Sequence, residues 1–147
     1  MAANTSPIFP GVPYAVNGSL AAVSACTTRA PTATAGLAAA NILPLAPASS
    51  NGRRIDKIQV QACSSSISAA TVAQVVGIWM HDGATAYLVD EIQVSAQTPS
   101  TTGTAFQTGK SYSNLVLPPA FSLYMSTTVA ATASTTALSV QVFGGDY

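Results

Sequence analysis

The sequence predicts an all-β fold: a single β-sandwich, jelly-roll-like or Greek key, over residues 19–147, with an extended proline-rich arm at residues 1–18. Three observations predict it. Short apolar/polar alternations of period two recur after residue 52, the pattern of half-buried strands. Turn-forming clusters separate them at the spacing of roughly 8–12 residues that marks sandwiches and barrels. No segment sustains a helical period, and the Ala-rich stretch from 19 to 48 is broken by Thr27, Thr28, Pro31, Thr32, Thr34, Gly36 and Pro44.

The arm comes first. Pro7, Pro10 and Pro13 fall within seven positions; each fixes its own φ and pushes the preceding residue into an extended conformation. Ile8, Phe9, Val12 and Tyr14 project from this stretch and need cover, either on the same domain or on a neighbouring subunit. Residues 19–48 read as irregular structure with one or two short strands. After Asn51-Gly52, Ile58, Val60 and Ala62 alternate with Gln59 and Gln61. The next strand, 71–80, is apolar on both faces, with Val76, Ile78 and Met80 opposed to Val75, Gly77 and Trp79, so it is expected to be central or to lie against a partner. Asp82-Gly83 is a hairpin turn signal. The returning strand, 86–94, is expected to place Leu88, Ile92 and Val94 on one face. Weaker alternation at 113–117, then Phe121, Leu123 and Met125, then Leu138, Val140 and Val142, complete six to eight strands.

Composition narrows the function classes. One domain of 147 residues is large enough to bury roughly 70% of its unfolded surface. Only 7% of residues are charged and the net charge is zero, against about 25% charged in ordinary domains. Nucleic acid binding draws on clustered Lys and Arg, and here only Arg53, Arg54 and Lys57 sit close together. A basic amphipathic helix for a membrane surface is missing too. Ala, Ser and Thr number 27, 17 and 17, giving a neutral, hydrogen-bonding exterior. Near-zero net charge favours association, and so a subunit of an assembly. The opening residues, Met1 to Pro7, have neither a basic start nor an apolar run, so synthesis in a cytosol without a secretion signal is the expectation.

The catalytic inventory is short. His81 is the single histidine; beside Asp82 in an expected turn, it reads as a solvated residue, since a triad needs an acid and a serine reaching the ring from elsewhere. Asp90 and Glu91 are adjacent and, in a strand, point to opposite faces. One His with two distant cysteines makes no ordinary zinc site, and Asp82-Gly83 alone is a poor start for calcium. Cys26 and Cys63 read as free, small buried hydrophobes. Gly144-Gly145 has no helix after it to make a phosphate loop. No catalytic residue, metal or cofactor is expected. The one charged cluster, Arg53-Arg54-Ile55-Asp56-Lys57, reads either as a solvated strand start with local ion pairs or as an anchor, with Arg53 or Arg54 gripping a partner carboxylate in bidentate fashion.

Several phrases carry a resemblance: Asn4-Thr5-Ser6-Pro7-Ile8-Phe9 with Pro13-Tyr14, Asn51-Gly52-Arg53-Arg54-Ile55-Asp56-Lys57-Ile58, His81-Asp82-Gly83, Leu115-Val116-Leu117-Pro118, and Phe143-Gly144-Gly145-Asp146. Together they resemble small structural proteins of tailed bacteriophages and prophages, described as head decoration, cement or virion proteins. The resemblance implies a β-sandwich that clamps the assembled head from outside, with the major capsid protein and further copies of itself (a homodimer or homotrimer) as partners, a place on the capsid exterior, and no enzymatic activity. The expected interface residues are Ile8, Phe9, Val12, Tyr14, Arg53 and Arg54. The alternative is a carbohydrate-binding or adhesive virion module, a head-fibre base or receptor-binding tip, in which an aromatic such as Trp79 stacks on a sugar; mid-strand, Trp79 also fits plain core packing.

Overall fold

The computed structural model describes residues 12–20, 24–29, 32–33, 42–63, 70–130 and 138–147. They contain nine strands: β1 (Val12–Leu20), β2 (Thr32–Ala33), β3 (Ile42–Ala46), β4 (Arg53–Ala62), β5 (Gln74–His81), β6 (Thr85–Val94), β7 (Gln107–Leu117), β8 (Ser122–Thr127) and β9 (Leu138–Asp146). One sheet has the order β1-β9-β4-β7 and the other β2-β6-β5-β8-β3. Every strand pairing is antiparallel. With the two-residue β2 set aside, the chain changes sheet at every connection except the β5–β6 hairpin. Eight strands interleaved in this way form a jelly roll.

Alternation builds the core. Leu20, Ile55, Ile58, Val60, Leu117, Leu138, Val140 and Val142 from the first sheet meet Leu45, Val76, Ile78, Ile92, Val94, Leu123 and Met125 from the second. Three register shifts interrupt the alternation: one in β3 between Pro44 and Ala46, and two bulges that set which side chains of β4 and β6 point inward. Ile55 and Ile58 are three apart yet both fully buried, because the register shifts between Ile55 and Lys57 and Asp56 absorbs a residue. Across from this bulge the backbones of β4 and β9 nearly touch. A Cβ on Gly144 would stand 1.9 Å from the Arg54 carbonyl oxygen, so only glycine fits.

The second bulge corrects an expectation. Trp79 pairs with Leu88 but Ile78 pairs with Asp90, which leaves Val89 as the extra residue. Ile92 and Val94 therefore face the core, whereas Leu88 and Ala86 turn to the opposite face and pack with Trp79, Cys26 and Ile42. A bulge of this kind interrupts the period on which the one-face reading of Leu88, Ile92 and Val94 relied. Strand β5 is central, between β6 and β8. Its outer face is covered by the protein's own segment 24–29, where Cys26 donates its backbone N–H to the Thr127 carbonyl (2.8 Å).

The arm is also revised. Residues 12–18, set down as arm, belong to β1, which pairs with β9 rung by rung from Val12↔Asp146 to Leu20↔Leu138. Tyr14 and Val16 pack against the core. The physical reason is that the extended backbone enforced by Pro13 is also strand backbone, and an edge strand tolerates proline. Ile8 and Phe9 lie outside the described residues.

Candidate functional site

Arg53 opens β4 and is 3% exposed. Its Nε and Nη2 both donate to the Asp146 carboxylate at the end of β9, the Nη2 contact at 3.1 Å. Its Nη1 donates to the Pro47 carbonyl at 2.8 Å, and its guanidinium lies 3.4 Å from the Tyr14 ring centroid. The bidentate grip expected on a partner is thus spent on the chain's own carboxylate. Hydrogen bonds from Arg53 hold the Asp146 carboxyl below the usual carboxylate range, against a smaller opposing effect of burial. Burial pushes the Tyr14 phenol up, partly offset by the Arg53 charge; its hydroxyl is buried with no hydrogen-bond partner among the described residues. Arg54 pairs locally with Asp56 (Nε–Oδ1 2.7 Å) and both remain partly exposed. Val12 is 62% exposed. Of the expected interface residues, Val12 and Arg54 therefore present surface, whereas Arg53 is interior and Tyr14 is half-buried.

Charge is consumed inside the chain throughout. Arg29 pairs with Glu91 (2.8 Å) and Lys110 with Asp90 (2.6 Å). With the two arginine pairs above, four ion pairs take up eight of the ten charged side chains. Asp90 also accepts from the Tyr112 hydroxyl at 2.5 Å, which joins β6 to β7 across the sandwich edge. Of the remaining two, Asp82 accepts from the backbone N–H groups of Ala84 and Thr85 (2.8 and 2.7 Å). Those bonds, Thr85 first, lower its carboxyl. Lys57 has no ion pair among the described residues.

The outer face of the first sheet is correspondingly neutral. Register places Ala15, Phe143, Lys57 and Ser111 on one rung. The next rung holds Asn17, Gln141, Gln59 and Gly109, and the one after holds Ser19, Ser139, Gln61 and Gln107. Amides and hydroxyls dominate these three rungs, with one cation and one phenyl ring; the rung of Pro13, Gly145, Arg54 and Val116 adds a cation paired with Asp56 and an exposed valine. Phe143 is 38% exposed and borders a shallow depression of about 300 Å³ with Ala15, Val16, Asn17 and Gln141. Sequence reasoning marked Gln59, Gln61, Ser139 and Gln141 as outward; Ser139, donating to Asn17 Oδ1, is instead buried, and Phe143 was missed. Its only signal is that it continues the odd-numbered outward set of β9.

The other residues weighed for chemistry are placed differently from expectation. His81 is buried, not solvated. As the last residue of β5, it packs its ring 5.0 Å from that of Tyr124, and its Nδ1 accepts from the Gly83 N–H (3.2 Å). Trp79 is 1% exposed and donates Nε1–H to Ser126 Oγ at 2.8 Å, so its ring has no face free for a sugar. Cys26 is buried and free, whereas Cys63 is free and exposed, contrary to the reading of both as buried. Among the described residues no three His, Cys, Asp or Glu side chains gather within reach of one metal ion. No protein-family model, curated protein or solved structure matches this chain.

Proposed function

We propose that this protein is a structural subunit that docks on an assembled protein shell: a decoration or cement protein on the outside of a tailed-phage head, bridging major capsid subunits and working as a homo-oligomer. The observation that carries this reading is the internal pairing of charge, with eight of ten charged side chains matched within the chain. A buried charge without its partner costs several kcal/mol, and interface cores are depleted of charged residues. A surface whose charges are already matched meets little of that cost when it is covered. The neutral outer face of the first sheet offers amides and hydroxyls that both donate and accept, suited to a flat protein surface. A subunit that binds the assembled lattice and not its free components stabilises the lattice by mass action.

The test is to purify the particles that contain the protein and count its copies. A decoration role gives about one copy per one to three shell subunits, as symmetric coverage requires. Shells stripped of the protein then disassemble at lower temperature and regain stability when it is added back. A handful of copies per particle, or unchanged shell stability, rules the role out. A second reading, an adhesive or carbohydrate-binding module, is favoured by Phe143, an exposed ring flanked by Asn17 and Gln141. Glycan-array binding that disappears in Phe143→Ala selects it.

A further inference from the structure

Sheet edges expose unpaired N–H and C=O groups that template a further strand, and proteins guard them with proline, charge, bulges or brevity. Among the described strands the edges carry such guards unequally. Strand β1 carries Pro13 and β3 carries Pro44. Strand β2 has two residues, and the length of β6 beyond it carries Asp90, Glu91 and the Val89 bulge. Strand β7 is an edge of eleven residues without proline. Its register irregularity is confined to residues 112–114, so residues 107–111 run regularly along β4. Gln107, Gly109, Lys110 and Ser111 are exposed there, and the one charge, Lys110, is already held by Asp90.

We propose that β7 pairs antiparallel with β7 of a second copy about a twofold axis at Gly109, joining two four-stranded sheets into one of eight strands. The regular stretch is five residues long and Gly109 is its centre. Self-pairing about that residue puts Gln107 opposite Ser111 of the second copy and Thr108 opposite Lys110, so no like charges meet, and like charges directly opposite destabilise a ladder. A glycine inside a strand often marks close approach of another backbone. The chain's zero net charge adds no long-range repulsion between copies. A twofold contact of this kind is closed, since each copy uses the same patch. The inference rests on the self-association in the proposed function and not on the shell, so it is tested in solution without one.

Sedimentation of the full-length protein at about 100 µM, well above the micromolar range of modest interfaces, is expected to show a dimer. Gln107→Lys with Ser111→Lys places like charges opposite each other twice and is expected to weaken the dimer at least roughly tenfold. Gln107→Glu with Ser111→Lys places opposite charges on the same rungs and is expected to keep it. In a Cys63→Ser background, which removes the exposed thiol, Gly109→Cys is expected to give a disulfide-linked dimer on mild oxidation, because directly opposed Cβ atoms lie at bridging distance. The added Cβ comes closest to the Cε of Lys57, a flexible tip at 3.1 Å, and lies at ordinary contact distance from the Ile58 carbonyl oxygen (3.5 Å) and the Gln59 Cα (3.8 Å). A monomeric wild type overturns the inference, as does a double-lysine variant that dimerises like wild type. So does equal dimerisation of both charge variants. A monomer that still coats shells overturns it, together with the self-association in the proposed function, and leaves only the docking on a shell standing.

Discussion

Removing the Asp146 carboxylate, as Asp146→Ala, is expected to expose how much of the sandwich depends on one buried cation. Arg53 has 4% of its side chain exposed, and Asp146 has 28%. Breaking a buried pair by deleting one partner costs about 3–5 kcal/mol, because an uncompensated charge is left behind. Here Arg53 keeps the Pro47 carbonyl and the Tyr14 ring, and water reaches the Asp146 side, so the low end applies, about 3 kcal/mol. For a chain of this size that is a fall in Tm of about 6–12 °C. Arg54→Ala is the control, because its pair with Asp56 is exposed on both sides and such pairs contribute about 0–1 kcal/mol. Replacing both members of the inner pair, Arg53→Met with Asp146→Ala, is expected to recover part of the loss. The sign with pH follows from the depressed Asp146 carboxyl. Its contribution is complete above the ordinary Asp value of about 4 and is lost as pH falls through the lower folded value. Calorimetric melts between pH 2 and 7 read both effects; Asp146→Asn is expected to flatten the acid limb. Equal losses in Asp146→Ala and Arg54→Ala refute the reasoning.

Two further substitutions test the packing. Gly144→Ala drives a methyl against the Arg54 carbonyl oxygen, backbone against backbone, and is expected to cost about 3 kcal/mol or more, at the upper end for overpacking; a melt within 2–3 °C of wild type, under about 1 kcal/mol, contradicts the bulge geometry. Trp79→Phe deletes the donor to Ser126 Oγ and leaves a buried hydroxyl unmatched, an expected loss of about 1–3 kcal/mol, read by denaturant titration with Trp79→Phe/Ser126→Ala as the partly rescued pair.

The fold class was legible because inward and outward residues alternate over β4, β8 and β9, and because Asp82-Gly83 announces the β5–β6 hairpin. Strand β1 was harder to see. Its inward set is Tyr14, Val16, Gly18 and Leu20, and Gly18 breaks the apolar alternation because a Cβ there would sit 2.5 Å from the Met125 Cε. The core demanded a gap in the very pattern that identifies strands. Bulges hid the facing of Leu88, since one extra residue inverts every side chain beyond it. Arg53 and Asp146 are 93 residues apart, and only sheet order, β4 beside β9, brings them together. His81 was read from its neighbours Asp82 and Gly83, whereas its burial is decided by Tyr124 on β8.

Two residues expected as contacts to another subunit, Tyr14 and Arg53, meet at the start of β1. Val12 pairs with Asp146, and Arg53 pairs with the same Asp146 from the other side of β9. Tyr14, two residues into β1, lies over the Arg53 guanidinium. An edge strand is held by hydrogen bonds on one side only and is the first to peel from a sheet. Side-chain contacts at its outermost rungs therefore decide whether force on the segment before Val12 ends at the edge or passes into β9 and β4. The Tyr14–Arg53–Asp146 cluster ties β1 to both of those strands. This separates two roles that the sequence merges. Val12 presents surface, while Tyr14 and Arg53 tie the start of β1 to β4 and β9. The docking role proposed above needs both, because a surface residue would help to hold a shell only as far as its own strand stays in the sheet.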